Sequence, residues 1–521
     1  MPDAIVIGAG VNGLVAANLL ADRGWDVLVL EGAPVYGGAV QSAELVEPGF
    51  VNDVFSAFYP LAVASPVVQR LHLEQHGLRW CRAPLALAHP ARDGSCPVVS
   101  TQLDETATSL DALHPGDGDA WRALFARWER VRPALLDALF TPIPPLKATA
   151  ELLARTRSDT LRLVRFALLP ARRLGMEEFG SAGARRLVAG SALHSDLSPD
   201  DVLSGFLGWM LTALGQDVGW PVPEGGAGRL ATALVNRLRS RGGRVECDAA
   251  VDKVIVERGR AVAVRVRGEE VRARRAILAD VDAPTLLLGL VGAEHLRAHA
   301  VDDLRRFTWD PGTVKVDWTL NGPIPWNAGP AQRAGTVHIV DDVDEMSAYA
   351  GELARSLLPA RPFVLVGQQS MTDPTRMPAG TETAWAYTHV PRDIRGDAAG
   401  EIAPPFDHSG LERFADRLQR RIEVLAPGFS SLVRGRHVMG SADLQARNPN
   451  LQGGAINGGT AALFQQLLFR PVPGLGRPET PIGGLYLASA SAHPGGGVHG
   501  ACGSNAARAA VLHDRLRRKR R

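Results

Sequence analysis

Residues 4–31 read AIVIGAGVNGLVAANLLADRGWDVLVLE, and the fold turns on how this stretch is understood. Hydropathy alone admits a secretory leader or a membrane span, because Ala4 to Ala21 carries no charged side chain and has the length of a short transmembrane candidate. Both readings fail on detail. A leader places positive charge ahead of its apolar core, whereas the charged side chain that precedes this one is Asp3. Three glycines and Asn12 stand where such a core has leucines, and Asp22 and Arg23 follow at once.

A nucleotide-binding strand, turn and helix accounts for each residue. Ala4 to Ile7 suits a buried parallel strand, and Gly8-x-Gly10-x-x-Gly13 follows it directly. Gly8 permits the tight turn, Gly10 lets a pyrophosphate approach the backbone, and Gly13 lets the helix pack close to the strand. The helix is expected from about Asn12 to Arg23, with its N-terminal N–H groups facing the phosphates and Gly24 closing it. Asp26 to Leu30 reads as the second strand. It ends in Glu31, whose carboxylate can accept hydrogen bonds from the ribose of an adenosine. Beyond it, the pair Gly37-Gly38 and Ser42 bring backbone and a hydroxyl close to the same ligand.

The chain has 521 residues, 45% of them apolar, which is ample for two or three domains with a large core. Lys and Arg number 57 against 55 Asp and Glu, so the charge balance excludes a nucleic acid as main partner. Basic charge concentrates at Arg515 to Arg521, read as a solvated tail. Four scattered cysteines, Cys81, Cys96, Cys247 and Cys502, and dispersed histidines support neither a zinc site nor a redox disulfide. A reducing, cytoplasmic setting is expected, with no metal. Gly-x-Ser-x-Gly, the commonest hydrolase signature, is absent.

Regular strand–helix alternation stops after Ser42. Glu47 to Pro66 is irregular and aromatic, and about 100 to 215 reads as helical. From 243 to 278 the pattern reads as a β-meander, preceded by Pro223-Glu-Gly-Gly-Ala-Gly-Arg. That glycine cluster lacks a feeding strand, because Pro221 and Pro223 remove ladder donors, so a second dinucleotide site is not expected there. Gly484-Leu-Tyr-Leu-Ala488 is a strand, followed by Ser-Ala-Ser-Ala-His493-Pro-Gly495-Gly496-Gly497-Val498-His499-Gly-Ala-Cys-Gly503 and an apolar helix. If both ends build one site, the ligand is long, with adenosine at one loop and a ring system at the other. FAD has that shape. The expected architecture is α/β: a discontinuous Rossmann-like FAD-binding domain (1–80, 215–290 and 470–521) interleaved with an α+β substrate domain (81–214 and 291–469).

Together these motifs resemble the phytoene-desaturase-like flavoproteins, within the glutathione-reductase and amine-oxidase type of FAD fold. The resemblance rests on Gly8 to Ser42, Pro223-x-Gly-Gly, Gly242-Gly243 to Val256, Phe469-Arg-Pro471, and Leu485-Tyr-Leu through His493-Pro-Gly-Gly-Gly-Val-His-Gly to Asn505-Ala-Ala. It is nearer to the branch of pyridine nucleotide-disulfide oxidoreductase domain-containing proteins and retinol saturases. The resemblance implies backbone contacts to adenine from Ala250-Val251, and a flavin lying against Gly495 to Val498. One departure is Ser489-Ala-Ser491, which stands where many relatives carry an acid for the ribityl chain.

Flavin enzymes leave the hard step to the cofactor, so few acid–base groups are needed. Candidates are His493 and His499, which flank the glycine loop, and Lys315, one of four lysines, because amine oxidases use a lysine near flavin N5. The alternation of Lys315 with Val314 and Val316 equally suits a solvent-facing strand position. Phe55-Ser-Ala-Phe58-Tyr59 is a candidate tunnel lining. Thr160 to Leu169 separates Arg162 and Arg165 from Leu161, Val164 and Leu168 as an interfacial helix does, which implies peripheral membrane contact. The leading expectation is an FAD-dependent desaturase, saturase or isomerase of an apolar, polyene-like molecule, passing electrons to oxygen, a quinone or another protein. The alternatives are an amine or amino-acid oxidase and a non-catalytic lipid carrier.

Overall fold

The computed structural model describes residues 1–156 and 159–519. Ala4–Ile7 (β1) is buried along its whole length, as an apolar run must be when covered on both faces. It pairs in parallel with Val27–Leu30 (β2) on one side and with Ala276–Ala279 on the other. Arg244–Glu246 extends the sheet beyond β2, and Leu485–Leu487 extends it beyond Ala276–Ala279. The result is a five-stranded parallel sheet whose inner strands come from distant parts of the chain.

The helix Val11–Ala21 (α1) follows β1, two residues tighter at its C-terminal end than the pattern predicts. Ala501–Lys519 packs beside it. Gly503 makes that approach possible, because any side chain there would strike the carbonyl of Asn12. Gly500 (φ +70°) likewise lies against Val15. The two glycine loops therefore meet across the same edge of the sheet.

The meander expected over 243–278 is divided between two sheets, its first strand, Arg244–Glu246, joining the parallel one. Val251–Glu257, Arg260–Val266 and Glu269–Arg272 form a separate antiparallel sheet. Ala276–Ala279 is apolar at all four positions and joins the parallel sheet, which covers both of its faces. At the Gly225–Gly228 cluster the preceding strand is only Val222–Pro223, paired antiparallel with Trp80–Cys81, so no parallel strand feeds it.

A seven-stranded mixed sheet runs in the order Val433–Met439, Gly312–Leu320, Glu382–Val390, Val364–Gln368, Ala334–Ile339, Leu85–Ala88, Val98–Val99. On one face Val316, Trp318 and Leu320 pack against Phe414, Leu418 and Ile422 of the helix His408–Leu425. The other face looks into the molecule. Helices Asp117–Phe140 and Ser204–Val218 complete the enclosure, their Trp121, Trp128 and Trp209 sharing one core with Leu14 and Val15 of α1. Among the described residues no helix is long and apolar enough to cross a membrane.

Candidate functional site

The N-terminal loop is shaped by what its glycines admit. Gly8 adopts φ +90°, and a Cβ on Gly10 would stand 2.5 Å from Asp280 Oδ2. Gly13 has no room for a side chain beside the carbonyl of Gly8, and its N–H donates to Asp280 Oδ2 at 2.9 Å. Gly37 and Gly38 cross over this turn: Gly37 N–H donates to the Ala9 carbonyl at 2.9 Å, and Gly38 (φ +58°) lies on the Gly10 Cα. Glu31 accepts from Ala9 N–H at 2.7 Å and from Ala33 N–H at 2.9 Å. The chain at 248–249 bonds back to Glu31 and Ala33, which places Val251 on the same side of the sheet end. Ser42 stands off this loop, its hydroxyl donating to Asp53 and accepting from Gly228 N–H at 3.0 Å.

Sequence reasoning missed Asp280. Burial raises its pKa to about 7, against the lowering effect of the Gly13 N–H, and the charge of Glu31 adds to the rise. It follows a strand in the sheet but precedes no glycine loop, so only the folded sheet brings it to the start of α1.

At the other end, Ala488 N–H donates to the Ala279 carbonyl at 2.7 Å, and the loop then turns toward α1. His499 accepts from Ala501 N–H on Nδ1 at 3.0 Å, and its Nε2 lies 3.3 Å from the Gly495 carbonyl. Burial lowers its pKa to about 4, so it is a neutral imidazole that shapes the loop. His493 is also held to about 4, mainly by burial. It faces the carbonyls of Leu139 and Thr141 without hydrogen-bond geometry to either. Gly495 (φ +111°) rests against Arg470. That buried guanidinium donates to the carbonyls of Asn457, Gly458, Thr460 and Ala490 at 2.7–3.2 Å, stapling two loops together.

Between the loops lies a cavity of about 1010 Å³. Gly10, Asn12, Gly37 and Gly38 line one end, and His493, Gly496, Gly497, Val498 and His499 line the other. Phe55, Phe58 and Tyr59 also line it. Gly8, Gly13, Glu31, Ser42, Val251 and Gly495 lie behind this wall. Lys315 requires a correction: it is buried and on the cavity wall, not solvent-facing. Its strand is covered on both faces, so the polar half of its alternation meets the cavity rather than bulk water. Its ammonium pairs with Asp317, which burial raises to about 6 against the pull of Lys315. The Trp385 ring centroid is 5.9 Å away.

Residues 6–72 match the NAD(P)-binding Rossmann-like domain family. The mouse pyridine nucleotide-disulfide oxidoreductase domain-containing protein 2 is 30% identical over 97% of this chain and 92% of its own. The chain belongs to the phytoene-desaturase-like family of FAD-dependent oxidoreductases. Within that family, the neurosporene-forming phytoene desaturase of Cereibacter sphaeroides is 24% identical over 99% of this chain and 96% of its own. The fold is of the amine-oxidase type: a triple mutant of putrescine oxidase superposes with a TM-score of 0.58 at 16% identity, covering 98% of each chain.

The flavoprotein fold and the loops agree on the shape of the cofactor. Gly10, Gly37 and Gly38 form a cradle that side chains would fill, and Asn12 Oδ1 is buried on the cavity wall without a partner. Glu31 braces the N-terminal end from behind the wall, its carboxylate accepting from the Ala9 and Ala33 N–H groups, and the bare backbone of Gly496 and Gly497 faces the opposite end.

Proposed function

We propose that the protein holds FAD between its two glycine loops and uses it to desaturate, saturate or isomerise a largely apolar, polyene-like small molecule. The observation that carries this reading is the cavity, which joins both loops and continues between Leu139, Phe206 and Leu207. When bound, FAD supplies hydride exchange at flavin N5. The chain's own residues bind, orient and exclude water. Gly10, Asn12, Gly37, Gly38 and the N-terminus of α1 hold the phosphates, Glu31 holds the ribose, and Gly496 to Val498 support the ring. His493, neutral and facing the cavity, is the candidate proton acceptor beside the ring, and Lys315 is a cation held ready by Asp317. Phytoene, the substrate in the name of the C. sphaeroides relative, is of the class proposed.

The rim favours delivery from an apolar phase. Outside the cavity lining, Leu161, Val164 and Leu168 of the helix Thr160–Leu168 are exposed, at 82%, 51% and 45%. Phe464, Leu467, Leu468 and Phe469 are exposed too, and the last three also line the cavity. Peripheral contact with a membrane fits this rim. Electrons then leave to oxygen, a quinone or another protein.

The test is to release the cofactor and any co-purifying lipid or pigment, identify both by mass spectrometry, and add the latter back anaerobically. Bleaching of the yellow flavin band supports the reading. Absence of flavin defeats it, and a flavin that never bleaches leaves only a carrier on this fold. The buried Lys315 keeps one rival alive, an amine oxidase: steady peroxide release from amines that Lys315→Met abolishes would favour it.

A further inference from the structure

The seven-stranded sheet turns two rows of residues toward the cavity, each in register across four strands, and Thr336, Trp385, Leu365, Tyr387 and Lys315 of these rows line it. One row is Thr336, Gly367, Trp385 and Asp317, and the other is His338, Leu365, Tyr387 and Lys315. Gly367 leaves a gap that the Trp385 indole fills, for a Cβ there would stand 2.5 Å from Trp385 Nε1. The indole N–H is thereby carried back along its row toward Thr336. Trp385 Nε1 and Thr336 Oγ1 are buried on the cavity wall, and neither has a hydrogen-bond partner. Ser191 Oγ, three residues before His194 on the same wall, has none either. Buried polar atoms are seldom left unpaired without a reason.

The same corner ends a chain of imidazoles. His194 Nε2 lies 2.8 Å from His338 Nε2, and His338 Nδ1 lies 2.8 Å from His89 Nε2. Burial keeps all three neutral, lowering each well below the ordinary histidine value. Three neutral imidazoles carry three ring protons, and the two links take two of them. The third therefore sits at one end, on His194 Nδ1 or on His89 Nδ1. His89 Nδ1 is buried with no partner, and a stranded N–H there costs more than a stranded lone pair. Arg186, which donates to the His89 carbonyl at 3.1 Å, adds a positive field that favours the bare nitrogen. The odd proton accordingly falls to His194 Nδ1, on the cavity side.

We propose that this corner is an oxygen-recognition subsite, which takes a carbonyl group on an otherwise apolar molecule. The inference rests on the apolar-substrate reading above and narrows it. An indole N–H only donates, so the ligand atom is an acceptor, and the hydroxyls of Thr336 and Ser191 turn to donate as well. A carboxylate fits less well than a neutral carbonyl, because the nearby cation, Lys315, is already paired with Asp317.

The experiment compares 2-undecanone, carrying a 13C carbonyl, with undecane on the purified holoprotein. Partitioning from a hexane overlay gives affinity, and infrared difference spectra give the carbonyl stretch. The ketone is expected to bind about tenfold tighter than the alkane, the yield of one or two hydrogen bonds, with its stretch moved below the position in hexane. Trp385→Phe and Thr336→Val should each reduce the preference and the shift while leaving undecane affinity in place. Histidine-selective 15N spectra should show His194 protonated on Nδ1, and His338→Gln should disturb that tautomer. Equal binding of the two probes, binding of neither, an unshifted carbonyl band, or His194 protonated on Nε2 would overturn the proposal. None of these readouts needs turnover, so failure here is separable from failure of flavin bleaching.

Discussion

At the scale of single residues, Asp280 has the clearest consequences. Its raised pKa means that the folded chain binds this proton more tightly than the unfolded chain, with 3.8 as the ordinary value and about 7 in place. The associated stability is full below about pH 4 and is lost as pH rises through 7. Melting of the FAD-free protein should therefore fall across that window, and Asp280→Asn should flatten that part of the profile. A charged Asp280 at the start of α1 also opposes a pyrophosphate. Fluorescence titration at pH 8 should show Asp280→Asn binding FAD more tightly, on the order of tenfold. Arg470→Met should cost about 3 kcal/mol or more in denaturant unfolding, because four buried carbonyls lose a charged donor together.

At the scale of elements, what could be read from sequence was local. Strand, glycines, helix and Glu31 lie within 28 residues, and each is needed for one geometry, so the N-terminal loop was legible residue by residue. The C-terminal loop was legible for the same reason. The partners of His194 were not: His338 lies 144 residues after it along the chain, and His89, the partner of His338, lies 249 residues before His338. Sheet register joins His338 to His89, and the end of the helix Ala182–Ala192 brings His194 to them. Lys315 misled because alternation reports two unlike faces without saying whether the polar one meets water or an internal cavity. On the helix Thr160–Leu168, Arg165 is tied to Glu177 at 2.6 Å and Leu161, Val164 and Leu168 are exposed, while Phe166 is buried. Leu161→Glu should leave melting within about 0.5 kcal/mol of the parent, since the site is exposed. The same change should weaken co-sedimentation with phosphatidylcholine vesicles; unchanged sedimentation would remove this helix from the delivery route. The basic run expected as a tail instead continues the helix Ala501–Lys519, with Arg517 and Arg518 paired to Asp514 at 3.0 Å; Arg520 and Arg521 lie outside the described residues.

At the scale of the whole molecule, one cavity is lined by segments almost 490 residues apart, Gly10 at one extreme and Gly497 at the other. Binding to the native state alone should stabilise it by about 2.7 kcal/mol at a hundredfold excess of FAD over Kd. Calorimetry with added FAD checks that figure. A chain ended at residue 483 keeps the N-terminal loop but should lose FAD retention, because Leu485–Leu487 and the helix beside α1 are gone. The parallel sheet carries one more implication. Ala276–Ala279 pairs with β1 across some 270 residues, and its outer neighbour Leu485–Leu487 arrives later still. At about 5–20 residues per second, a ribosome needs about 25 to 100 seconds to deliver the last of them. Until then the nascent glycine turn waits half-built, without its sheet neighbours, so on the proposed reading a dinucleotide can be taken up only once synthesis is nearly complete.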